Sequence, residues 1–319
     1  MTCAIIFLPY MEMKIDAIIT HPGSAHKDEL LACALLLVEH PVAIYRRDAS
    51  AEDLNNPHIC VIDTGGRHDP SHNNYDHHQF HPKSKPSCSV SLIFEALGLY
   101  EDALKFLDWV EPVEWFDCRG PGHTAEWLGV DRRALSRLNS PLDGAVLRAF
   151  SKSSELLPGN FLWETLRMIG EDILGFVRGL RRQLCYLAEH TEVWEIEQDG
   201  NVFKILFLPR GENLPEEPTL GIGRFIEEHS NGREIIATVY PDRRSGGYGL
   251  ARYRDNYQVD FRRLEDAHDV HFTHASGFLA KTTAVDPCRL RELLQAAWVG
   301  RAGAAAFYKN TSAKNSHVS

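Results

Sequence analysis

The chain has 319 residues, 44% of them hydrophobic and 24% charged, with 34 basic against 44 acidic side chains and a formal net charge of -10. That composition is ordinary for a globular protein. The acidic balance excludes charge-driven binding along a nucleic-acid duplex, which needs a basic track, but leaves room for a small anionic substrate in a local basic pocket or held through metal ions. The seven Cys are odd in number and widely spaced, with no C-x-x-C pair. They argue against a disulfide framework and for a reducing, cytoplasmic setting. The opening "MTCAIIFLPYMEMK" lacks a basic region and is interrupted by Pro9, so it reads as an extension ahead of the fold. No run approaches the roughly 20 apolar residues that span a bilayer, and neither a signal peptide nor a membrane partner is expected.

In chain order, "KIDAIIT" (14–20) reads as a buried strand ending at His21, and "DELLACALLLVEH" as a helix buried over a wide face. "PVAIYR" (41–46) and "PHICVIDTGG" (57–66) read as further strands, the latter closed by two glycines. Strand, helix, strand and strand predict an open α/β sheet with parallel strands. Polar residues at the carboxyl ends of such strands gather in one crevice. The stretch from Ser87 to Gly120 is predicted mostly helical, with a bend at Pro112 and a turn around Asp117 and Pro121. A second helical zone covers roughly 144–192. Beyond it, "TEVWEIEQ", "VFKILFLP" and "REIIATVYPD" read as strands broken by "DG", "SNG" and "RSGG" turns. "DVHFTHASGFLA" is another strand entering a turn, and "PCRLRELLQAAWVG" a helix begun by Pro287. The expected division is 14–192 for a first domain with its helical linker region, 193–300 for a smaller α+β domain, and 301–319 for a flexible tail.

Nine of the sixteen His fall in the first 85 residues, at 21, 26, 40, 58, 68, 72, 77, 78 and 81. A buried imidazole or carboxylate needs a partner. Two divalent cations would satisfy five or six such groups, and His21, His26, Asp28, Asp63, His77 and Asp117 are the candidate ligands. Those donor types favour Mn²⁺ or Mg²⁺ over a thiolate zinc site. Asp28 has a second reading, as a first-turn helix cap, and both stay open at this point. His78 is placed as a substrate-facing partner of His77, and Asp76 as a carboxylate orienting a ligand imidazole. His68, His72 and His81 read as solvated loop residues, and His40 and His58 as flanks of strands. Near the other end, Arg243 and Arg244 sit beside a Ser-Gly-Gly turn able to grip phosphate, or simply form an exposed hairpin. His274, Ser276 and Gly277 form a tight turn with a candidate phosphate ligand in His274. Dinucleotide, Walker and nucleophile-elbow patterns are absent, so no nucleotide cofactor is implied.

On these residues the sequence resembles the DHH phosphoesterase superfamily, through the triplet Asp76-His77-His78. More closely it resembles the melanocyte-proliferating-gene family of metal-dependent hydrolases, whose eukaryotic members act as 3'-5' RNA exonucleases. "THPGSAHKDELLACALLL", "VIDTGGRHDPSHNNYDHHQF", "WFDCRG" and "HFTHASGFLAKT" carry the likeness, over about 15–298. The resemblance implies an N-terminal α/β domain, a smaller C-terminal α+β domain, and a crevice between them holding two divalent metals. It implies His21, His26, Asp28, Asp63, His77 and Asp117 as ligands, with Asp63 as the bridge. It also implies His78 near the scissile phosphate and His274 on the substrate side. The expected activity is metal-dependent phosphodiester hydrolysis, as a 3'-5' exonuclease on RNA or short oligonucleotides. Another small phosphoester, pyrophosphate or an amide is the alternative substrate, and a non-catalytic metal-stabilised binding protein the alternative class. Homo-oligomerisation is left open. The chain departs from the family pattern at Ala25 and Lys27, at Ala280-Lys281 in place of a Gly pair, and at "EWFDCR", where the family pattern ends in Asn-Gly.

Overall fold

The computed structural model describes residues 14–137, 139–229 and 234–300. The expected opening extension and the expected flexible tail at 301–319 lie outside these. The chain divides into two compact units, the split falling after Gly179. Among the described residues the strands form two six-stranded sheets, one in each unit. No helix among them is long and apolar enough to cross a membrane. Among the described residues Cys33, Cys60, Cys88, Cys118 and Cys288 are free thiols.

The first unit runs β1 (Ala17–Thr20), α1 (Lys27–Glu39), β2 (Ala43–Arg46), α2 (Ala51–Asn55) and β3 (Ile59–Ile62), then the short β4 (His68–Asp69) and β5 (Asn74–Tyr75). There follow α3 (Ser89–Ala96), α4 (Tyr100–Phe106), α5 (Val110–Trp127), α6 (Arg132–Arg137), α7 (Pro141–Lys152), β6 (Glu155–Leu156) and the long α8 (Phe161–His190), in which the split between units falls. The sheet order is β4-β5-β3-β1-β2-β6. β2, β1, β3 and β5 are parallel neighbours, while β4 and β6 add antiparallel edges. α1 buries Leu30, Ala32, Cys33, Ala34, Leu35, Leu36 and Leu37 because helices α3, α5 and α7 and strand β3 all pack on it. α8 approaches α1 so closely that a Cβ built on Gly170 would overlap the carbonyl oxygen of Ala34.

α5 is interrupted at Gly120 (φ 73°, ψ 170°) ahead of Pro121. Pro112, expected to bend the chain, lies in the first turn of α5, where no intrahelical bond needs its missing N–H. The rings of Trp115 and Trp127 stack with centroids 5.0 Å apart. A straight helix would hold residues so spaced about 18 Å apart, so the two halves fold back on each other.

The second unit contains β7 (Glu192–Gln198), β8 (Asn201–Phe207), α9 (Ile222–His229), β9 (Ile235–Pro241), β10 (Tyr248–Arg252), β11 (Val270–Thr273), β12 (Leu279–Thr282) and α10 (Pro287–Ala297). Its sheet order is β11-β12-β10-β9-β8-β7, antiparallel except for the β8–β9 pair. β7 alternates as its sequence predicts, burying Trp194 and Ile196 and exposing Val193, Glu195 and the start of the strand. Phe203 stacks on Trp298 at 4.5 Å and Trp194 on Phe207 at 3.9 Å within a core that includes Leu290, Leu293 and Leu294 of α10.

Candidate metal centre

Register builds the centre. Thr20 pairs with Ile62, and Ile62 with Tyr75, so three parallel strands end level with one another. The residues that follow them, His21, Asp63 and the Asp76-His77-His78 triplet, therefore emerge side by side at the carboxyl edge of the sheet. Asp63 leaves β3 on left-handed backbone (φ 55°), a region Asp tolerates better than most residues. α1 starts above the same edge and brings in His26 at its N-cap, with Asp28 and Glu29 in its first turn. α5 supplies Asp117 from inside its first half, not from the predicted turn. That half is anchored by Glu114, a buried carboxylate that accepts hydrogen bonds from Ser91 at 2.6 Å and Tyr100 at 2.7 Å.

The six predicted ligands converge. His77 Nε2 stands 3.1 Å from Asp63 Oδ1 and 3.0 Å from Asp117 Oδ2. His21 Nε2 lies 3.4 Å from Asp63 Oδ2, and His26 Nδ1 lies 3.9 Å from Asp117 Oδ1. Asp28 is wholly buried; its Oδ2 accepts the Ser89 backbone N–H at 3.3 Å, while its Oδ1 is enclosed with no hydrogen-bond partner. A cap would face its own helix N–H groups, whereas this carboxylate has a lone oxygen in a group with His26 and Asp117. Buried oxygens are rarely left unpaired, and a cation beside Asp28 would resolve this one. Three further groups could hold an ion: His21, His26, Glu29 and Asp63; Asp63, His77 and His78; and His77, Asp117 and Cys118. Donors of this kind fit a divalent metal.

Two residues that the sequence reading passed over also matter here. Glu29 is fully buried, accepts the His26 backbone N–H at 2.8 Å and sits 3.3 Å from His21 Nε2. Arg46, also buried, lies 3.8 Å from Glu29 and donates to the carbonyls of Gly23 and Ser24 at 3.2 Å each. Together they fix the loop that carries both imidazoles. In sequence, Glu29 reads as a first-turn acid, and Arg46 as the last residue of a strand. Asp76 orients His78, not His77: its Oδ1 receives the His78 ring at Nδ1 (2.8 Å) and backbone N–H (2.9 Å), and its Oδ2 the Gly66 N–H (2.7 Å). His77 Nδ1 faces the Cys118 thiol instead, at 3.8 Å. His81, expected in solvent, lines the same cleft of about 580 Å³.

Without a cation the acids are balanced by protons. The Asp63 and Glu29 carboxylates push His21 up to about 10. Burial opposes the charged form of His77, but hydrogen bonds to Asp117 and Asp63 push it up to about 12. Burial, with Asp63, Asp117 and Glu29 nearby, holds the Asp28 carboxyl well above the usual range. Burial would raise Asp63 as well, yet the hydrogen bonds from His21 and His77 outweigh it and hold its carboxyl low. His21 and His77 therefore contribute stability that is fully present below their unfolded value near 6.5. It is lost as pH rises through about 10 and about 12. A metal must displace those protons. Titrating Mn²⁺ into metal-free protein at pH 7.5, by calorimetry in buffers of differing ionisation heat, should show release of at least about two protons per chain, from His21 and His77, and an affinity that rises with pH. Equal heats in all buffers would contradict this picture.

The candidate substrate residues occupy the second unit and do not form one cluster. His274, Ser276 and Gly277 make the β11–β12 turn, where His274 Nδ1 accepts from the Ser276 hydroxyl at 2.7 Å. Arg243 and Arg244 lie in the β9–β10 loop, where Arg243 donates to the Glu216 carbonyl. Leu279 pairs with Ala251 and Thr282 with Tyr248, so the two loops stand at opposite ends of the β10–β12 pair.

Residues 17–99 match the family model MYG1_exonuc, described as "Uncharacterised protein family (UPF0160)". The N-terminal segment is MYG1-like. It is 48% identical over 62 residues to the MYG1 exonuclease of Homo sapiens and to that of Bos taurus, and 47% identical over 62 residues to that of Mus musculus. Each match covers 19% of this chain and 16% of the relative, so the aligned region is a small part of either protein. No solved structure gives a significant match. The MYG1-like segment contains His21, His26, Asp28, Asp63, His77 and His78. Asp117 and the whole second unit lie beyond it, and the likeness found is shorter than the 15–298 expected from the motifs.

Proposed function

We propose that this protein is a divalent-metal-dependent phosphodiesterase of DHH type, working as a 3'-5' exonuclease on RNA or short oligonucleotides in a cytoplasmic setting. The observation that carries the reading is the convergence of six separated His and Asp side chains around a buried carboxylate oxygen that has no partner. The exonuclease name of the relatives over the MYG1-like segment supports it. Two cations, Mn²⁺ or Mg²⁺, would be held by His21, His26, Asp28, Asp63, His77 and Asp117, with Asp63 shared between them. When bound they supply Lewis acidity and a water of lowered pKa.

The remaining chemistry belongs to the chain. Asp76 accepts the His78 Nδ1–H and so orients this exposed ring, leaving Nε2 open to the substrate: it accepts from a phosphate or hydroxyl O–H, and donates to a phosphate oxygen only when the ring is doubly protonated. Glu29 and Arg46 keep His21 and His26 from relaxing into solvent as charge changes in the cleft. His274, Ser276, Gly277, Arg243 and Arg244 are assigned further substrate contacts in the second unit. The cleft is of a size that takes the reacting end of a strand, and the chain's acidity disfavours long duplex. Incubating the Mn²⁺-loaded protein with labelled RNA and DNA 5-mers, a cyclic dinucleotide and pyrophosphate tests the reading. RNA shortened stepwise from its 3' end is expected; an inert RNA beside rapid turnover of pyrophosphate would reject it.

A further inference from the structure

Not all of the cleft is metal-ligating. Besides the His and Asp residues, Lys85 and Arg119 line it, together with Phe80, Pro82 and Pro86. The Arg119 guanidinium donates from Nη2 to the Ser84 carbonyl at 2.7 Å and from Nη1 to the Cys118 carbonyl at 3.5 Å, both uncharged acceptors. The Lys85 ammonium rests 4.8 Å from the centroid of the Tyr100 ring. Among the described residues neither cation forms an ion pair, although Asp117 is close by in sequence and binds His77 instead. In a chain of net charge -10, two cations that line one cleft call for an account when neither has a carboxylate within ion-pair distance, Lys85 acting on Glu95 and Glu114 only at longer range.

Helix electrostatics give a partial one. Arg119 ends the first half of α5, and a cation is favoured at a helix C-terminus. That explains a basic residue at the position, not why it lines the cleft, nor why Lys85 on a separate loop lines it too. A guanidinium offers five N–H donors in a fixed fork, a match for phosphate oxygens. The hydrogen bond to Ser84 ties the fork to the loop that carries Lys85.

We propose that Lys85 and Arg119 form an oxyanion subsite that holds a phosphate group of the substrate beside the metal-ligating residues. The subsite rests on the phosphodiesterase reading for its substrate, but its ligand chemistry is testable without turnover. It uses charge-assisted, forked hydrogen bonds from Arg119 and a point charge from Lys85, with no bond made or broken.

The test is calorimetric titration of inorganic phosphate, and separately of adenosine 5'-monophosphate, into the Mn²⁺-loaded full chain. Arg119→Gln should weaken phosphate binding about tenfold, the scale of one lost charge-assisted contact, and Lys85→Gln severalfold. Arg119→Lys should recover only part of the loss, since it keeps the charge and loses the fork. Mn²⁺ affinity should stay within about twofold in all three, since none removes a metal donor. Lys85→Gln is the second arm because Arg119 also holds the Ser84 loop. Weakening in both variants with unchanged Mn²⁺ affinity supports the subsite. Unchanged phosphate binding in either variant overturns it, as does Mn²⁺ affinity falling in step. If no phosphodiester is cleaved yet both variants lose phosphate, the subsite stands and the hydrolase reading fails. If RNA is cleaved and both variants keep the wild-type phosphate affinity and KM, the subsite alone fails.

Discussion

Asp63→Asn should abolish metal-dependent hydrolysis and leave the fold in place. The side chain is matched in size, and Asn is as much at ease as Asp on the left-handed backbone at this position. The replacement keeps a carbonyl oxygen for the Ser89 hydroxyl, 3.1 Å away. What it removes is the charge facing both His21 and His77. Metal affinity should drop by more than the roughly 100-fold that loss of an outer-sphere partner costs. In the metal-free variant His77 should also titrate lower, because one of the two carboxylates that raise it is gone. Mn²⁺ titration, cleavage of the RNA 5-mer and imidazole NMR read the three effects, with circular dichroism as the check on fold. Full activity after metal-free purification and Mn²⁺ add-back would defeat the assignment of Asp63.

Gly170→Ala should be the most damaging single methyl that the first unit can receive on its long helix. Helix propensity alone favours Ala over Gly by up to about 1 kcal/mol. Here the added Cβ meets the Ala34 carbonyl, a backbone atom that cannot swing aside. Separating α8 from α1 would unpack Ala34 and Val38, which face Gly170, and tilt the helix that carries Asp28. The expected net loss is about 2–3 kcal/mol, the upper range for overpacked cores, measured as a shift in urea midpoint. Gly175 lies further along the same helix with open space around its Cβ position, so Gly175→Ala is the internal control and should be neutral or stabilising. Equal behaviour of the two variants would mean that the helices are not in the contact described.

Much of the first sheet was legible because its strands are short apolar runs with abrupt polar ends. β1, β2 and β3 fall inside the runs that predict them, and His21 and Asp63 were placed by the ends of those runs. β4 and β5 were not legible: two residues each leave no periodicity to read. Their pairing comes from tertiary register, which is also what sets His77 beside Asp63. The Asp199-Gly200 turn between β7 and β8 was visible because few residue pairs accept positive φ twice (53° and 69°). Asp117 was found by residue type and misplaced by local rules. Gly and Pro after it signal a turn, yet here they end one helical segment and open another. Arg46, Cys118 and Arg119 were missed for a common reason: each acts through a neighbour far away in sequence, and no local pattern marks such a role. Glu29 did carry a local signal, since its bond to the His26 N–H three residues back is a capping-box pattern.

The fold-back of α5 has a mechanical consequence. A side chain that must hold position against the pull of a doubly charged ion is poorly served by a single helix, which can pivot about its ends. Trp127, laid flat on Trp115, turns the downstream segment into a splint for the upstream one, while Glu114 pins the opposite side to α3 and α4. Stiffness at Asp117 is thus borrowed from chain that never reaches the cleft.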